Sequence, residues 1–262
     1  MNLADITPLI LTWNEEPNLR RCLERLRWAT RIVVVDSGST DGTLAIAAEF
    51  PQVEVVKRGF DSFAGQCNFG LEQIRTKWVL SMDADYIVAN FFSTYVEKLS
   101  EKADGYCFPF RYCVYGSPLR ATLYPRRTVL YQHKKARYRD DGHGHRVDVQ
   151  GAISNAEIPI DHDDRKSLSR WLDSQRKYAA LEAEKLLSEP RPSGWPDRLR
   201  KKIWPAAPAM FFYTLFVKRL ILDGWPGLYY VFQRTYAELL LSLELISRKF
   251  VSDINRAEMK RG

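Results

Sequence analysis

Residues 32–43 read IVVVDSGSTDGT: four β-branched residues in a row, a carboxylate, then short polar side chains and glycines. An apolar run of this kind, ended by turn residues, predicts a strand buried on both faces from Ile32 to Val35. Ser37 to Gly42 offer side-chain oxygens to the free N–H groups of a helix start, and Gly38 and Gly42 permit tight backbone. Thr43 to Phe50 then takes up a helical spacing. The stretch is a strand–loop–helix unit with Asp36 at the carboxyl end of its strand.

The same unit recurs on either side. Ile6 to Leu11 is a short apolar run interrupted by Pro8, expected to enter a sheet from its edge. Asn14 opens a helical pattern through Leu19, Cys22, Leu23 and Leu26. Downstream, Val53 to Val56 reads as a strand, Phe63 to Ile74 as a helix, and Trp78 to Met82 as a strand that ends at Asp83. Alternation of this kind predicts a mostly parallel sheet. Ligands of such sheets gather at the carboxyl ends of the strands. Glu15, Glu16, Asp36, Asp41, Asp83 and Asp85 all fall there.

Farther along, Asn90 to Leu99 predicts a helix, followed by aromatic strand formers at Tyr106, Phe108, Phe110, Tyr112 and Tyr115. Tyr124 to Tyr131 and Arg146 to Val149 predict further strands. Lys166 to Leu187 is helical in pattern until Pro190, Pro192, Gly194 and Pro196 break it. The expected organisation is an α/β domain over residues 1–165, with a Rossmann-like central sheet flanked by helices, and a helical extension over 166–262.

With 262 residues, 45% of them hydrophobic and 27% charged, the chain can bury a sizeable core and is neither disordered nor fibrous. Its net charge of +7 does not choose between nucleic acid, anionic membrane and anionic substrate. The placement of that charge does. From Asp197 onward there are 12 Lys or Arg against 6 Asp or Glu, set among large apolar residues, which favours a membrane surface over nucleic acid. Ile203 to Val217 carries no charge and is bracketed by Arg198, Arg200, Lys201 and Lys202 before it and by Lys218 and Arg219 after it. It is too short and too broken by Pro205 and Pro208 to cross a bilayer, and reads as an interfacial helix. A core helix sheltered by Gln233 to Phe250 is the other reading. Cys22, Cys67, Cys107 and Cys113 have no metal-ligand or redox spacing, as expected in a reducing compartment. The N-terminus lacks the pattern of a secretory signal. A cytoplasmic protein bound peripherally to the inner face of the cell membrane is expected, with its oligomeric state open.

Asp83-Ala84-Asp85 follows directly on a predicted strand. Two carboxylates one residue apart can share a divalent cation with phosphate oxygens, and hard oxygen ligands suit Mg²⁺ or Mn²⁺. Asp36 at a neighbouring strand end reads either as a turn and cap or as part of a nucleoside pocket, accepting from a base N–H. Neither a G-x-G-x-x-G loop nor a P-loop is present.

TPLILTWNEEPNLRRCLERL, IVVVDSGSTDGT and CNFGLEQIRTKWVLSMDADY together resemble the inverting family 2 glycosyltransferases with the GT-A fold. Within them the chain is similar to the lipopolysaccharide inner-core β-glycosyltransferases. The resemblance is strong over residues 5–90 and departs at Tyr86, where the family carries an acidic residue. It implies that Thr12 and Glu15 line the base and ribose pocket, that Asp36 binds uracil, and that Asp83 and Asp85 hold the ribose and the metal-bound diphosphate. The donor implied is a UDP-sugar, glucose first, and the acceptor a lipid-linked or lipopolysaccharide-core hydroxyl.

Inversion needs a general base on the opposite face of the sugar. ARYRDDGHGHRVDV offers Asp141, then Asp140, with His143 and His145 beside them. Relatives carry a His-Glu pair here, and Arg146 stands in place of the Glu. His145 is placed as a further metal or diphosphate contact. His162 either contacts substrate or caps the following helix, Asp163 and Asp164 read as a plain helix start, and Gln66 and Asn68 are weaker candidates for the diphosphate or base. Two other functions stay open: a metal-dependent nucleotidyltransferase, and a non-catalytic lipid-binding or scaffolding protein on a degenerate transferase fold.

Overall fold

The computed structural model describes residues 1–141, 144–188 and 194–259. Two compact units divide it, Met1–Lys166 and Ser167–Gly262.

In the first unit the leading strands and helices alternate. They are β1 (Ile6–Thr12), α1 (Leu19–Arg25), β2 (Ile32–Asp36), α2 (Thr43–Ala48), β3 (Val53–Lys57), α3 (Phe63–Glu72) and β4 (Trp78–Asp83). Then come β5 (Tyr86–Ile87), α4 (Phe92–Glu97), β6 (Gly105–Phe108), β7 (Phe110–Val114), β8 (Ser117–Pro118) and β9 (Arg127–Gln132). A hairpin of β10 (Ala136–Asp141) and β11 (Gly144–Val149) precedes β12 (Ile153–Asn155) and β13 (Ile160–His162).

The main sheet has seven strands in the order β12-β6-β9-β4-β1-β2-β3. Strands β4, β1, β2 and β3 run parallel, whereas β9 lies antiparallel to both of its neighbours. Alternate residues of each strand enter opposite cores. Ile32 and Val34 join Ile6, Ile10, Trp78 and Leu80 under α1, α2 and α4. Val33 and Val35 join Leu9 and Val79 under Ala64, Cys67 and Leu71 of α3 and Tyr138 of β10. Burial on both faces is the physical reason that β2 reads as an unbroken apolar run.

Two expectations are corrected here. A GT-A-type architecture with one central sheet is not what forms, because the strands make three separate sheets. The turn at Asp83–Asp85 ends β4, and Tyr86–Ile87 leaves the main sheet to enter a second one ordered β5-β13-β7-β8. The β10–β11 hairpin is a third. Likewise β1 is not an edge strand: it lies between β4 and β2, with Pro8 opposite Leu80. The missing proline N–H removes one ladder bond from a strand that is held on both sides.

The second unit is helical, with α5 (Leu168–Ser188), α6 (Trp195–Lys201), α7 (Ala206–Phe212) and α8 (Gly224–Met259). Ala179, Ala183 and Leu186 of α5 pack on Leu241 and Leu245 of α8. Arg200 of α6 donates from Nη2 to Glu238 of α8 at 2.6 Å, and Glu238 is buried. Pro205 and Pro208 sit at the start of α7, where a missing N–H costs little. A π-helical turn, Tyr213–Val217, and a 3₁₀ turn, Leu220–Asp223, join α7 to α8. Among the described residues no helix is long and apolar enough to cross a membrane.

Candidate active site

Parallel pairing brings three strand ends together, since Thr12 lies opposite Asp36 and Leu11 opposite Asp83. The loops that follow β1 and β2 close on each other. Asn14, in the left-handed region at φ 56°, accepts from Thr40 N at 2.7 Å, and its own N–H donates to Ser39 Oγ at 2.7 Å. Glu15 N–H donates to Thr43 Oγ1 at 2.7 Å, and Gly42 N–H to Glu16 Oε2 at 3.0 Å.

Asp36 is the anchor of that loop pair. Its Oδ1 accepts from Gly38 N at 3.0 Å and Ser39 N at 2.9 Å, while Oδ2 accepts from Thr12 Oγ1 at 2.9 Å and Ser39 Oγ at 2.5 Å. Gly38 has φ +93°, a backbone state that a side chain would strain. Thr12 and Asp36, both fully buried, are thus bonded to each other and to the turn.

Asp83 and Asp85 differ in setting. Asp83 is 40% exposed at its side chain and lies 3.8 Å from Arg127 Nη1. Arg127 also donates to Tyr86 Oη and Tyr124 Oη, each at 2.7 Å. Asp85 is buried. Its Oδ2 sits 3.1 Å from His162 Nε2, and its Oδ1 has no hydrogen-bond partner among the described residues. The imidazole is walled by Tyr86, Tyr112 and Tyr124, with ring centroids 5.6, 5.0 and 4.8 Å away. Burial opposes the charge on His162, but the Asp85 carboxylate outweighs it and raises the imidazole above its ordinary value.

The residues after His162 continue the cluster. Lys166 Nζ lies 2.8 Å from Glu15 Oε1, and Asn18 Nδ2 donates to Glu15 Oε2 at 2.9 Å and to Asp164 Oδ1 at 2.8 Å. Burial pushes the Glu15 carboxyl up to about 7 against the pull of Lys166, with the Asp85 charge adding to the rise. Burial works against the Lys166 ammonium, yet Asp85, Glu15 and Asp164 together hold it above its ordinary range. Asp163 accepts from Arg21, Arg165 and the Gly116 N–H, so what read as a plain helix start is an ion-paired strap.

The expected base region stands differently. Asp140 is exposed, and its Oδ1 accepts from Ala64 N at 3.1 Å, at the start of α3. Asp141 and His145 lie on β10 and β11 by backbone pairing. Their side chains, with all of Gly142 and His143, lie outside the described residues. Gln66 donates to Gly59 O at 2.8 Å, and Asn68 exchanges two bonds with the Tyr138 backbone. Gln66 therefore holds a loop and Asn68 pins α3 to β10. Lys166 and Arg127 are the members that motif reading passed over. His162, read as either a substrate contact or a helix cap, is held on Asp85, and Tyr86, singled out as a departure from the family pattern, accepts from Arg127. The available signal was the run His162-Asp163-Asp164-Arg165-Lys166, too dense in charge for an ordinary helix start.

No three His, Cys, Asp or Glu side chains among the described residues are assembled to hold a metal by themselves. Mg²⁺ and Mn²⁺ need no such set, because they are held by one or two carboxylates together with substrate phosphates and water. A buried carboxylate oxygen without a donor is costly unless something pairs with it. Asp85 Oδ1 beside the more open Asp83 fits a hard cation that arrives with a diphosphate.

The model of glycosyl transferase family 2 matches residues 9–155. Lipopolysaccharide core biosynthesis glycosyltransferase LpsC of Rhizobium meliloti (strain 1021) is 37% identical over 84 residues, which are 30% of this chain and 31% of LpsC. The chain thus matches about one third of that relative's length. An uncharacterized glycosyltransferase of Rickettsia bellii (strain RML369-C) is 24% identical over 242 residues, covering 85% of this chain and 79% of that one. The crystal structure of S. aureus TarS 1-349 with UDP-GlcNAc superposes with a TM-score of 0.46 at 13% identity, covering 95% of this chain and 92% of TarS 1-349.

Proposed function

The chain belongs to glycosyl transferase family 2, and on that premise we propose that it transfers a hexose, glucose first, from a UDP-sugar to a hydroxyl of a glycolipid or lipopolysaccharide-core acceptor, with inversion. One observation carries the reading: Asp85 is buried at the carboxyl end of β4, with one oxygen on His162 and the other unpartnered, beside the ends of β1 and β2. That is where a parallel sheet receives its ligand.

In this reading Asp83 and Asp85 hold Mg²⁺ or Mn²⁺ together with the donor diphosphate. The cation, when bound, supplies positive charge for the departing UDP. Thr12, Glu15 and Asp36 shape the nucleoside end of the pocket. Lys166 offsets part of the negative charge gathered by Glu15, Asp85 and Asp164. A base, Asp141 first and Asp140 second, takes the proton of the acceptor hydroxyl. The acceptor oxygen then bonds to the anomeric carbon as the bond to the UDP oxygen breaks and its electron pair leaves with UDP.

The first unit is then the nucleotide-sugar and catalytic domain, and the second a membrane-interface and acceptor-side element. The protein is proposed to be cytoplasmic and to sit peripherally on the inner face of the cell membrane. Calorimetry with UDP, GDP and CDP in the presence of Mn²⁺ tests the donor: UDP should bind at least tenfold more tightly than the others. Equal binding of all three contradicts the assignment.

A further inference from the structure

The turn between α7 and α8 exposes what a soluble helical pair ordinarily hides. Phe212, Phe216, Val217, Ile221, Leu222 and Trp225 are all exposed, Trp225 at 82% and Phe216 at 54%. They fall within fourteen consecutive residues, 212–225. Their neighbours show that this is a built surface. Leu215 and Leu220 are buried beneath it. Arg219 takes a left-handed conformation at φ 57° to make the corner. A Cβ at Gly227 would lie 2.0 Å from the Leu220 carbonyl oxygen, so glycine lets the 3₁₀ turn rest directly on α8. Phe212 and Phe216 stack with centroids 6.1 Å apart, and Phe211 stacks on Phe232 at 6.3 Å.

The charges around it choose the partner. Lys218 and Arg219 sit inside the turn, and Lys201 and Lys202 lie at the end of α6. Between Ile203 and Ala237 the only acidic residue is Asp223. Exposed aromatic and aliphatic side chains interleaved with cations match the headgroup boundary of an anionic bilayer, where aromatic rings enter and ammonium groups meet phosphates.

We infer that the α7–α8 turn is an insertion surface for anionic lipid, entering the headgroup boundary with its six exposed apolar side chains while Lys218 and Arg219 bind lipid phosphates. This rests on the reading of the protein as a transferase with a lipid-linked acceptor. Binding is reversible, because the surface is short and no described helix spans a membrane.

Flotation of the full chain with vesicles of phosphatidylcholine alone, or mixed with phosphatidylglycerol, tests it alongside UDP binding on the same preparations. The wild type should float with the mixed vesicles, and high salt should weaken that binding without abolishing it. F216S/L222S/W225S should lower the partition coefficient at least tenfold at any salt, and K218E/R219E should lower it at low salt only. Both variants should bind UDP as the wild type does. Loss of UDP binding with flotation intact would remove the transferase reading and leave the surface standing. Equal flotation of wild type and both variants would overturn the insertion surface. So would a wild type that ignores vesicles but self-associates through the same residues, which would make the face a contact between copies of this chain.

Discussion

His162 Nε2 lies 3.1 Å from Asp85 Oδ2, joining two residues 77 positions apart where the ends of two different sheets meet. Asp85 follows the last strand of the parallel run, and His162 ends β13 in the smaller sheet. The contact is possible because Tyr86, directly after Asp85, pairs antiparallel with His162. It leaves Asp85 Oδ1 buried and without a hydrogen-bond partner among the described residues.

His162→Ala should lower Mn²⁺ affinity in the presence of UDP by about 10–100-fold, the range seen when a group that orients a metal ligand is removed. The folded structure should survive, since Asp85 can be solvated through the vacated space. Titration of Mn²⁺ by electron paramagnetic resonance reads this directly. Unchanged affinity would make the imidazole a packing element among the tyrosines.

Lys166→Met strands Glu15 in a buried site with Asn18 as its remaining polar partner. Lys166 and Glu15 are 19% and 13% exposed at their side chains, so removal of the ammonium should cost about 3 kcal/mol. The double variant Lys166→Met/Glu15→Gln should recover most of that loss. Chemical denaturation of these two and of Glu15→Gln alone checks it, and additive losses would show that the two groups do not stabilise each other.

Asp36→Asn replaces two acceptors, each with two donors aimed at it, by one acceptor and one amide donor. Thermal unfolding should fall by several degrees, as expected for a loss of about 2 kcal/mol. UDP affinity should fall as well if Asp36 also reaches the base. A stability loss with UDP affinity retained would confine Asp36 to holding the loop of Ser37 to Gly42.

The periodic parts of the molecule were legible beforehand. Ile32 to Val35 and Trp78 to Met82 announce strands because burial on both faces demands apolar residues at all of these positions but Ser81, and the carboxylates that end them are visible for the same reason. Pro8 misled because a proline points to an edge only when the lost bond is not offset by a second neighbouring strand. The Asp85–His162 and Glu15–Lys166 pairs were hidden, since nothing in a linear chain marks contacts across so many residues. Asp140 reads as a candidate base by company, with two histidines close behind, while the bond its carboxylate accepts from the Ala64 N–H at the start of α3 has no mark in the sequence.

Tyr131 and Tyr138 share a hydroxyl–hydroxyl bond, and Tyr138 Oη donates onward to Ser81 Oγ at 2.8 Å. Burial, before all else, raises both phenols above the ordinary tyrosine range. The folded protein keeps these protons at a pH where the unfolded chain gives them up. Their contribution to stability is therefore full below about pH 10 and is lost as pH climbs above it. Absorbance at 295 nm should show part of the 13 tyrosines ionising only as the protein unfolds, and Tyr138→Phe should shrink that delayed fraction. A single titration near 10 with circular dichroism unchanged would contradict it.

The central claim is that Asp85 helps to hold a divalent cation and a UDP-sugar diphosphate at the end of β4, and it is tested most directly by turnover of UDP-glucose with and without Mn²⁺ in wild type and Asp85→Asn. Asp85→Asn should keep its circular dichroism spectrum, lose at least about 100-fold in kcat, a typical cost of losing one charge-stabilising group, and no longer respond to Mn²⁺. A variant that turns over at the wild-type rate with an undiminished Mn²⁺ response would place the chemistry elsewhere in the chain.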